Sequence, residues 1–572
     1  MREIGIMFFI ITYPSLLYRS RISVDNSVYT TIFLHYITFV VIFTVDKQQI
    51  TIFIPLIPKK TVKDRILFWC GRDFVYYGIA YFLNQQYDCE LFGIFETEEK
   101  PMKFFKSQKL VPFKKTWYFY DYVGEIQNKE PDMKYLSSIE KKYGINIWIM
   151  SYAERFFGLD ERGYHKFTRN EILSLFESEL RFYEQVLDEI NPNFIIIRDV
   201  DMHHVNLLHE ICKARGIKKL STFPTRMGTK WVVSDTDKIH YDPMQLKTTT
   251  KNQKTFDELR NYMKKHDQTN YVKDWVSSSK INLFNKKTFS SIFNEVFRKS
   301  KVQRERFMSI GRTRSKIIRA NLSLRLKRMS RRSFLDRNSK TEIKSDEKFV
   351  YFPLHVSPER FVDISAPFFS NQLEVVTNFA KALPAEYKLY VKEHFAMETI
   401  NWRKISFYKQ ILGLPNVVLI HPFVPSLEIL KKSSLVMSVT GTGALQAAFY
   451  EKPSIVLAHN IYNEFLPSVF QINNLEELPD TIRIALKTRV NLTDLNRFVE
   501  IIEQECFDYD PHVFNNEYNP TFKTQFSDVN ISEPQMKSYL NHHQKPLEML
   551  ASEHLKKIKQ NDHKYATPSS SK

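Results

Sequence analysis

Between Leu435 and Gln446 the chain reads Leu-Val-Met-Ser-Val-Thr-Gly-Thr-Gly-Ala-Leu-Gln, an apolar strand running straight into Gly-Thr-Gly and then a helix. Small residues let backbone approach a ligand, and the N–H groups at a helix N-terminus attract phosphate. Gly441 and Gly443 would supply that approach, the hydroxyls of Thr440 and Thr442 further donors, and Gln446 an amide just beyond. A ligand-free strand-to-helix turn would read the same way. The turn lacks the third glycine of the dinucleotide fingerprint and the Gly-Lys-Ser/Thr of a P-loop, so neither of those sites is expected. Glycine is scarce, 14 in 572 residues, so two within three positions stand out.

Two other strand ends carry groups suited to anions. Tyr390-Val-Lys-Glu-His394 ends a strand with Lys392 and His394 on one side and Glu393 on the other. Tyr351-Phe-Pro-Leu-His355-Val-Ser-Pro-Glu359-Arg360 brings His355, Glu359 and Arg360 into one loop. Open α/β sheets bind ligands at the C-terminal ends of their strands. A cation beside an imidazole there would neutralise a diphosphate leaving group or a sugar carboxylate.

In the N-terminal half, Asp199, Asp201, His203 and His204 follow an Ile-rich strand. Their composition suits a metal, but no third spaced group completes a set. No metal is therefore expected, and helix capping by Asp201 is the plainer role. Asp199, Asp201, Glu359 and His394 are the candidates for a catalytic base or acid. Arg226, in Thr225-Arg-Met-Gly228 after the next strand, would contact acceptor or phosphate.

The elements that must position these residues alternate between strand and helix. Strands are expected at 65–70 and 91–95, with a helix at 74–85 between them. Thr168-Arg-Asn-Glu171 is a capping box ahead of an apolar-periodic helix, stopped at Asn191-Pro192. Strand 194–197, helix 202–215 closed by Gly216, and strand 217–223 complete a βαβ unit. After residue 347 the alternation returns, with strands expected at 348–354, 387–392, 416–421, 434–439 and 454–458. Helices are expected at 370–383, 402–412, 426–432, 443–450 and 475–487. The fold class expected is α/β, with two Rossmann-like domains facing a cleft and a basic helical insertion between them. The divisions are an unassigned apolar segment (1–60), an N-terminal Rossmann-like domain (61–245), a basic linker or insertion (246–345), a C-terminal Rossmann-like domain (346–490), and a C-terminal extension with a disordered tail (491–572).

Composition narrows the function. The chain is 43% hydrophobic and 26% charged, which excludes a disordered or fibrous protein. Its mean hydropathy of −0.35 excludes a polytopic membrane protein. Cys70, Cys89, Cys212 and Cys506 form no CxxC pair, so neither a disulfide framework nor zinc is signalled, and a cytoplasmic setting is expected. Of the formal charge of +18, a net +14 lies between Phe297 and Lys340, with 16 basic residues against Glu305 and Asp336. Only Phe297, Phe307 and Phe334 are interleaved, too few stacking platforms for nucleic acid. An anionic membrane surface is the better partner, with Ile317, Ile318, Leu322, Leu324 and Leu326 as apolar anchors. A solvated linker is the plain alternative. Residues Val28–Val45 form an uncharged run of 18, short for a bilayer span and rich in β-branched residues. No cleavage site marks a signal peptide, and an overextended start is a third reading.

The segments 351–360, 390–394 and 414–456 resemble capsule and surface polysaccharide biosynthesis proteins of the two-Rossmann, GT-B glycosyltransferase type. Arg226 resembles the arginine that follows a strand in the N-terminal domain of that family. The family usually has proline where Phe395 stands and glutamate where Gln446 stands. The resemblance implies a glycosyltransferase that takes a nucleotide-activated sugar, without a bound cofactor, and a saccharide or lipid-linked acceptor. His355, Arg360, Lys392, His394 and the Thr440–Gly443 turn would hold the nucleotide phosphates, with Gln446 nearby. It also implies work at the cytoplasmic face of the membrane. A polyol-phosphate transferase resembling the CDP-glycerol glycerophosphotransferases, and a non-catalytic relative, are the alternatives.

Overall fold

The structure is a computed structural model. It describes residues 63–71, 74–123, 130–154, 157, 165–198, 202–234, 239, 253–266, 313–344, 346–357, 360–400, 402–511, 513–516 and 529–565, together with four N-terminal strands. Those strands form two antiparallel pairs: β1 (Ser20–Val24) with β2 (Ser27–Thr31), and β3 (Thr38–Val45) with β4 (Gln48–Pro55). The uncharged run thus contributes strands. They belong to a unit, Met1–Lys63, separate from the remainder. Among the described residues no helix is long and apolar enough to cross a membrane.

The larger unit holds two sheets. The first is built from β5 (Arg65–Cys70), β6 (Glu90–Phe95), β7 (Phe113–Tyr118), β8 (Phe194–Ile196), β9 (Lys218–Pro224) and β10 (Lys230–Ser234), with β17 (Phe507–Asp508) at its edge. Its order is β7-β6-β5-β8-β9-β10-β17. Strands β5 to β9 are parallel, and β10 and β17 turn antiparallel. Alternation along β5 feeds two cores: Leu67 and Trp69 point into one, and Ile66, Phe68 and Cys70 into the other. Burial on both faces explains why β5 reads as an unbroken apolar run.

Capping chemistry sets the flanking helices as expected. Thr168 and Glu171 close a reciprocal capping box on Arg169–Ile190, and Asn191 ends that helix in a left-handed conformation. Gly216, at φ 69, closes the turn after His203–Ala214.

The second sheet comprises β11 (Phe349–Pro353), β12 (Lys388–Lys392), β13 (Val417–Ile420), β14 (Leu435–Ser438), β15 (Ser454–Val456) and β16 (Val469–Gln471). All are parallel, in the order β13-β12-β11-β14-β15-β16. Counting from β11, this is the 3-2-1-4-5-6 order of the doubly wound dinucleotide fold, whose ligand crevice opens between the first and fourth strands. Here those strands are β11 and β14.

The basic stretch is helical over Arg314–Asn338. It is pinned to the second sheet's domain by the buried Leu335, by Arg331 donating from Nη1 to the Trp402 carbonyl at 3.1 Å, and by a bridge from Lys340 to β13. Beyond residue 491, where the sequence pattern fades, helices run over Leu492–Glu505, Glu533–His542 and Gln544–Tyr565. The last two return to the first sheet: Met536, Tyr539, Leu540, Leu547 and Leu550 share a core with β5 and Val75–Gln86. Leu547 lies so close to Gly78 that a Cβ there would meet it at 2.7 Å. The expected disordered tail, residues 566–572, lies outside the described residues.

Candidate functional site

The crevice between β11 and β14 is lined by the two strand ends singled out in the sequence. Strand β11 delivers His355 through the Pro353–Leu354 exit, and β14 delivers Thr440 and Gly441. His355 Nε2 lies 3.1 Å from Ser438 Oγ and 3.4 Å from the Thr440 amide. Ser438 spends its proton on the Thr440 carbonyl at 2.9 Å. The Thr440 N–H can only donate, so Nε2 is the acceptor and the ring proton of neutral His355 sits on Nδ1.

The main chain of His355 is clamped from two directions. Gln372 exchanges hydrogen bonds with its N–H at 2.8 Å and its carbonyl at 3.3 Å, and Arg403 donates to the same carbonyl. Arg403 also donates from Nε to Glu393 Oε2 at 2.9 Å. Glu393 is fully buried, and Tyr408 and the His394 amide donate to it at 2.8 Å. Glu393 thus faces away from the crevice, as strand alternation requires.

Next to it, His394 Nδ1 accepts the Ala396 amide at 3.2 Å, which puts the ring proton on Nε2 as a donor. The ring stacks on Phe395 with centroids 4.9 Å apart. Phe395 thus braces the imidazole with its own ring. Burial first, then electrostatic interaction with His394, Arg226 and Arg403, pushes His355 down to about 3. Burial, with Lys392 and Arg403, pushes His394 down to about 4. Both imidazoles are therefore neutral near pH 7.

The Gly-Thr-Gly turn opens the helix Thr442–Phe449, with Gly441 at the cap position and φ 136. Only glycine adopts that conformation freely. Gly443 makes no such demand, since a Cβ there would sit 3.5 Å from Pro353. Thr440 enters the site through its backbone: its side chain is 1% exposed and donates to Asn460 at 2.9 Å. This corrects the expectation of a hydroxyl donor there. Thr442 is exposed, and Gln446 is partly buried on the helix behind it. Lys392 is 3% exposed and donates to Ser426 at 2.9 Å, so it acts on the crevice as a nearby charge.

Arg226 reaches this crevice from the first sheet's side. It sits in the β9–β10 turn at φ 70, rare for a side-chain-bearing residue. Thr225 fixes the turn by donating from Oγ1 to the Lys230 carbonyl at 2.8 Å. Gly228 completes it, because a Cβ there would strike the His266 carbonyl. Met227 and Val232 share one apolar core with Leu445, Phe449 and Tyr462 of the second domain. The Arg226 charge consequently acts on both His355 and Tyr462. Tyr462 donates to the Gly441 carbonyl at 2.6 Å. Arg226, the Gly441 turn and His355 thus meet in one place.

Asp199, Asp201 and Glu359 lie outside the described residues, as does the side chain of Arg360. His203 and His204 lie elsewhere, buried at the start of the helix after β8. That helix is capped by Glu154, whose Oε2 accepts the His203 amide at 3.2 Å, with Met202 rather than Asp201 at the cap position. Sequence reading missed Arg403, Gln372, Ser438 and Tyr462. Each is remote in sequence from the residue it holds or, for Ser438, reads as ordinary strand.

Residues 228–465 match the family model described as "Capsule polysaccharide biosynthesis protein", bearing out the resemblance over that segment. No curated protein sequence matches the chain. Among solved structures, UDP-GlcNAc 2-epimerase from Methanocaldococcus jannaschii is 12% identical, over 77% of this chain and 99% of that one, at a TM-score of 0.22. The Thermosulfurimonas dismutans KpsC β-Kdo 2,7 transferase is 10% identical, over 55% of this chain and 79% of that one, at 0.26. A Neisseria meningitidis UDP-GlcNAc 2-epimerase bound to UDP-GlcNAc is 9% identical, over 77% and 99%, at 0.21. Scores of this size do not carry a shared fold, so the two-domain α/β architecture rests on the strand orders above.

Proposed function

We propose that the chain is a glycosyltransferase of polysaccharide assembly that takes a nucleotide-activated sugar in the crevice between its two sheets. The observation that carries this reading is the meeting of Arg226, His355 and the Gly441 turn at the switch point of the second sheet. The family match over 228–465 supports the polysaccharide setting.

The chemistry follows from the groups present. N–H groups of the helix Thr442–Phe449 and the Arg226 guanidinium would take the diphosphate or monophosphate oxygens. His394 Nε2–H is a neutral donor for the same group, and the Nδ1–H of neutral His355 is a second. Charge that develops on the departing phosphate is stabilised by these fixed donors, with no covalent cofactor needed. The acceptor enters from the first sheet's side, where Arg226 originates.

The reading extends to location. On the helix Arg314–Asn338, Ile318, Leu322, Leu326 and Met329 are exposed at helical spacing, and Arg319 and Arg325 flank them. An apolar stripe edged by cations suits the interface of an anionic membrane, at about 1 kcal/mol per basic residue. A lipid-linked acceptor would be met there.

Calorimetric titration with UDP-, GDP- and CMP-sugars tests the reading. Binding of one class, with transfer to a saccharide acceptor, is expected. No binding of any class at millimolar concentration would overturn it.

A further inference from the structure

The first sheet has its own switch point, between β5 and β8, and a buried polar cluster stands beside it. Glu179 comes from the helix Arg169–Ile190, while His203 and His204 open the helix after β8. One ligand atom from each lies within 4.8 Å of the others. The sequence offered the histidine pair without a third group. Folding supplies it from 24 residues upstream.

We propose that Glu179, His203 and His204 bind a divalent transition metal of the zinc class. Two imidazoles and one carboxylate are a ligand set that such ions take. His203 is oriented for it. Glu154 Oε2 holds its Nδ1 at 2.8 Å, and its Nε2 faces Glu179 Oε1 at 3.0 Å. A carboxylate fixing the far nitrogen of a ligating histidine is the usual outer support of a metal site. Glu96 Oε2, 3.5 Å from His204 Nε2, stands in a similar relation to the second imidazole. It is itself held by Tyr120, which donates to Oε1 at 2.9 Å.

The second observation is Glu179 Oε2. Its residue is 0% exposed, and that oxygen has no hydrogen bond. An unsatisfied buried carboxylate oxygen is costly, and a cation removes the cost. A proton shared between His203 and Glu179 engages only Oε1. The surroundings are dry: Phe157 and Phe176 pack on His203 at centroid distances of 4.9 and 5.1 Å. Trp69 and Phe119 pack on His204 at 5.7 and 5.1 Å. Such a shell excludes competing water. On binding, the metal replaces the proton between His203 Nε2 and Glu179, and that proton is released to solvent. The inference does not depend on the proposed transfer activity.

The test is elemental analysis of the purified full chain after dialysis in chelator-free buffer, followed by cobalt loading. One metal per chain is expected, with visible d–d absorption in the cobalt form and proton release on loading. Glu179→Gln should lose the metal while keeping a cooperative thermal transition. A wild-type chain that holds no metal as purified, and takes up neither zinc nor cobalt on equilibration, would overturn the proposal. That arm needs no variant to fold.

Discussion

A Cβ placed on Gly441 would lie 3.0 Å from Cε1 of His355, tighter than the packing of nearly all real side chains. The glycine and the histidine therefore define each other's position, one at the end of β14 and the other after β11. Gly441→Val has to displace the ring and adopt φ near 136, at a cost of order 1–3 kcal/mol. If that cost falls on the bound state, nucleotide-sugar affinity should drop by about 5- to 150-fold. Gly443→Ala, whose Cβ meets only Pro353 at 3.5 Å, should bind as wild type. Calorimetric titration of the two variants checks the contrast; equal losses would count against the turn.

Arg226 contributes charge, and its turn contributes strain. Arg226→Ala would remove the proposed charged contact to phosphate, worth about 1.5–3 kcal/mol, or about 10–100-fold in affinity. Arg226→Gly loses the same charge but suits φ 70 better, so it should melt at a higher temperature than the alanine variant. Thermal melts and titrations of the pair separate the two effects.

Much of this site was legible before the structure. The Gly-Thr-Gly turn, His355 and Arg226 each stand directly after a strand, and strand ends are what a parallel apolar rhythm reveals. The residues that hold them were not legible. Gln372 grips His355 across 17 residues and Arg403 across 48, and nothing local marks either. Thr440 misled for the opposite reason: its hydroxyl looks available in sequence, but Asn460 takes it in the fold. The C-terminal helices lacked a clear signal because Leu547 and Leu550 gain their meaning only against Val75–Gln86.

The neutral histidines predict a pH window. His355 is held down to about 3 and His394 to about 4, both below the ordinary histidine value near 6.5. As pH falls below that value the unfolded chain binds protons that the folded chain refuses. The stability these groups support is present in full above pH about 6.5 and declines as pH falls toward 4 and then 3. Denaturant titrations from pH 8 to pH 4 should show this decline, and it should shrink in His355→Gln. A variant with the wild-type slope would show that His355 is not held neutral.

Breaking the Arg403–Glu393 pair should be severe. Arg403→Ala leaves Glu393, with no exposure, a buried carboxylate without its guanidinium. Removing one partner of a buried pair costs about 3–5 kcal/mol. Arg403→Ala with Glu393→Gln should recover part of that loss, measured by chemical denaturation.

The proposed membrane attachment through the basic helix would use a defined face. Arg331 donates to Trp402, and Arg328 and Arg332 lie against Glu398, so these cations hold the helix to its domain. Replacing Lys316, Arg319, Arg325 and Lys327 by Gln, with Leu322→Ser and Leu326→Ser, should abolish sedimentation with anionic vesicles and spare the fold. High salt alone should release the wild type, because the Debye length shrinks to about 3 Å at 1 M. Retention of the variant on vesicles would move the contact elsewhere.

The most direct test of the central claim is a crystal structure with the bound nucleotide sugar. The account predicts phosphate oxygens within hydrogen-bond reach of the amides following Gly441 and of Arg226, with His355 and His394 at the same ligand. A nucleotide bound at the opposite edge of the second sheet, away from β11 and β14, would contradict it.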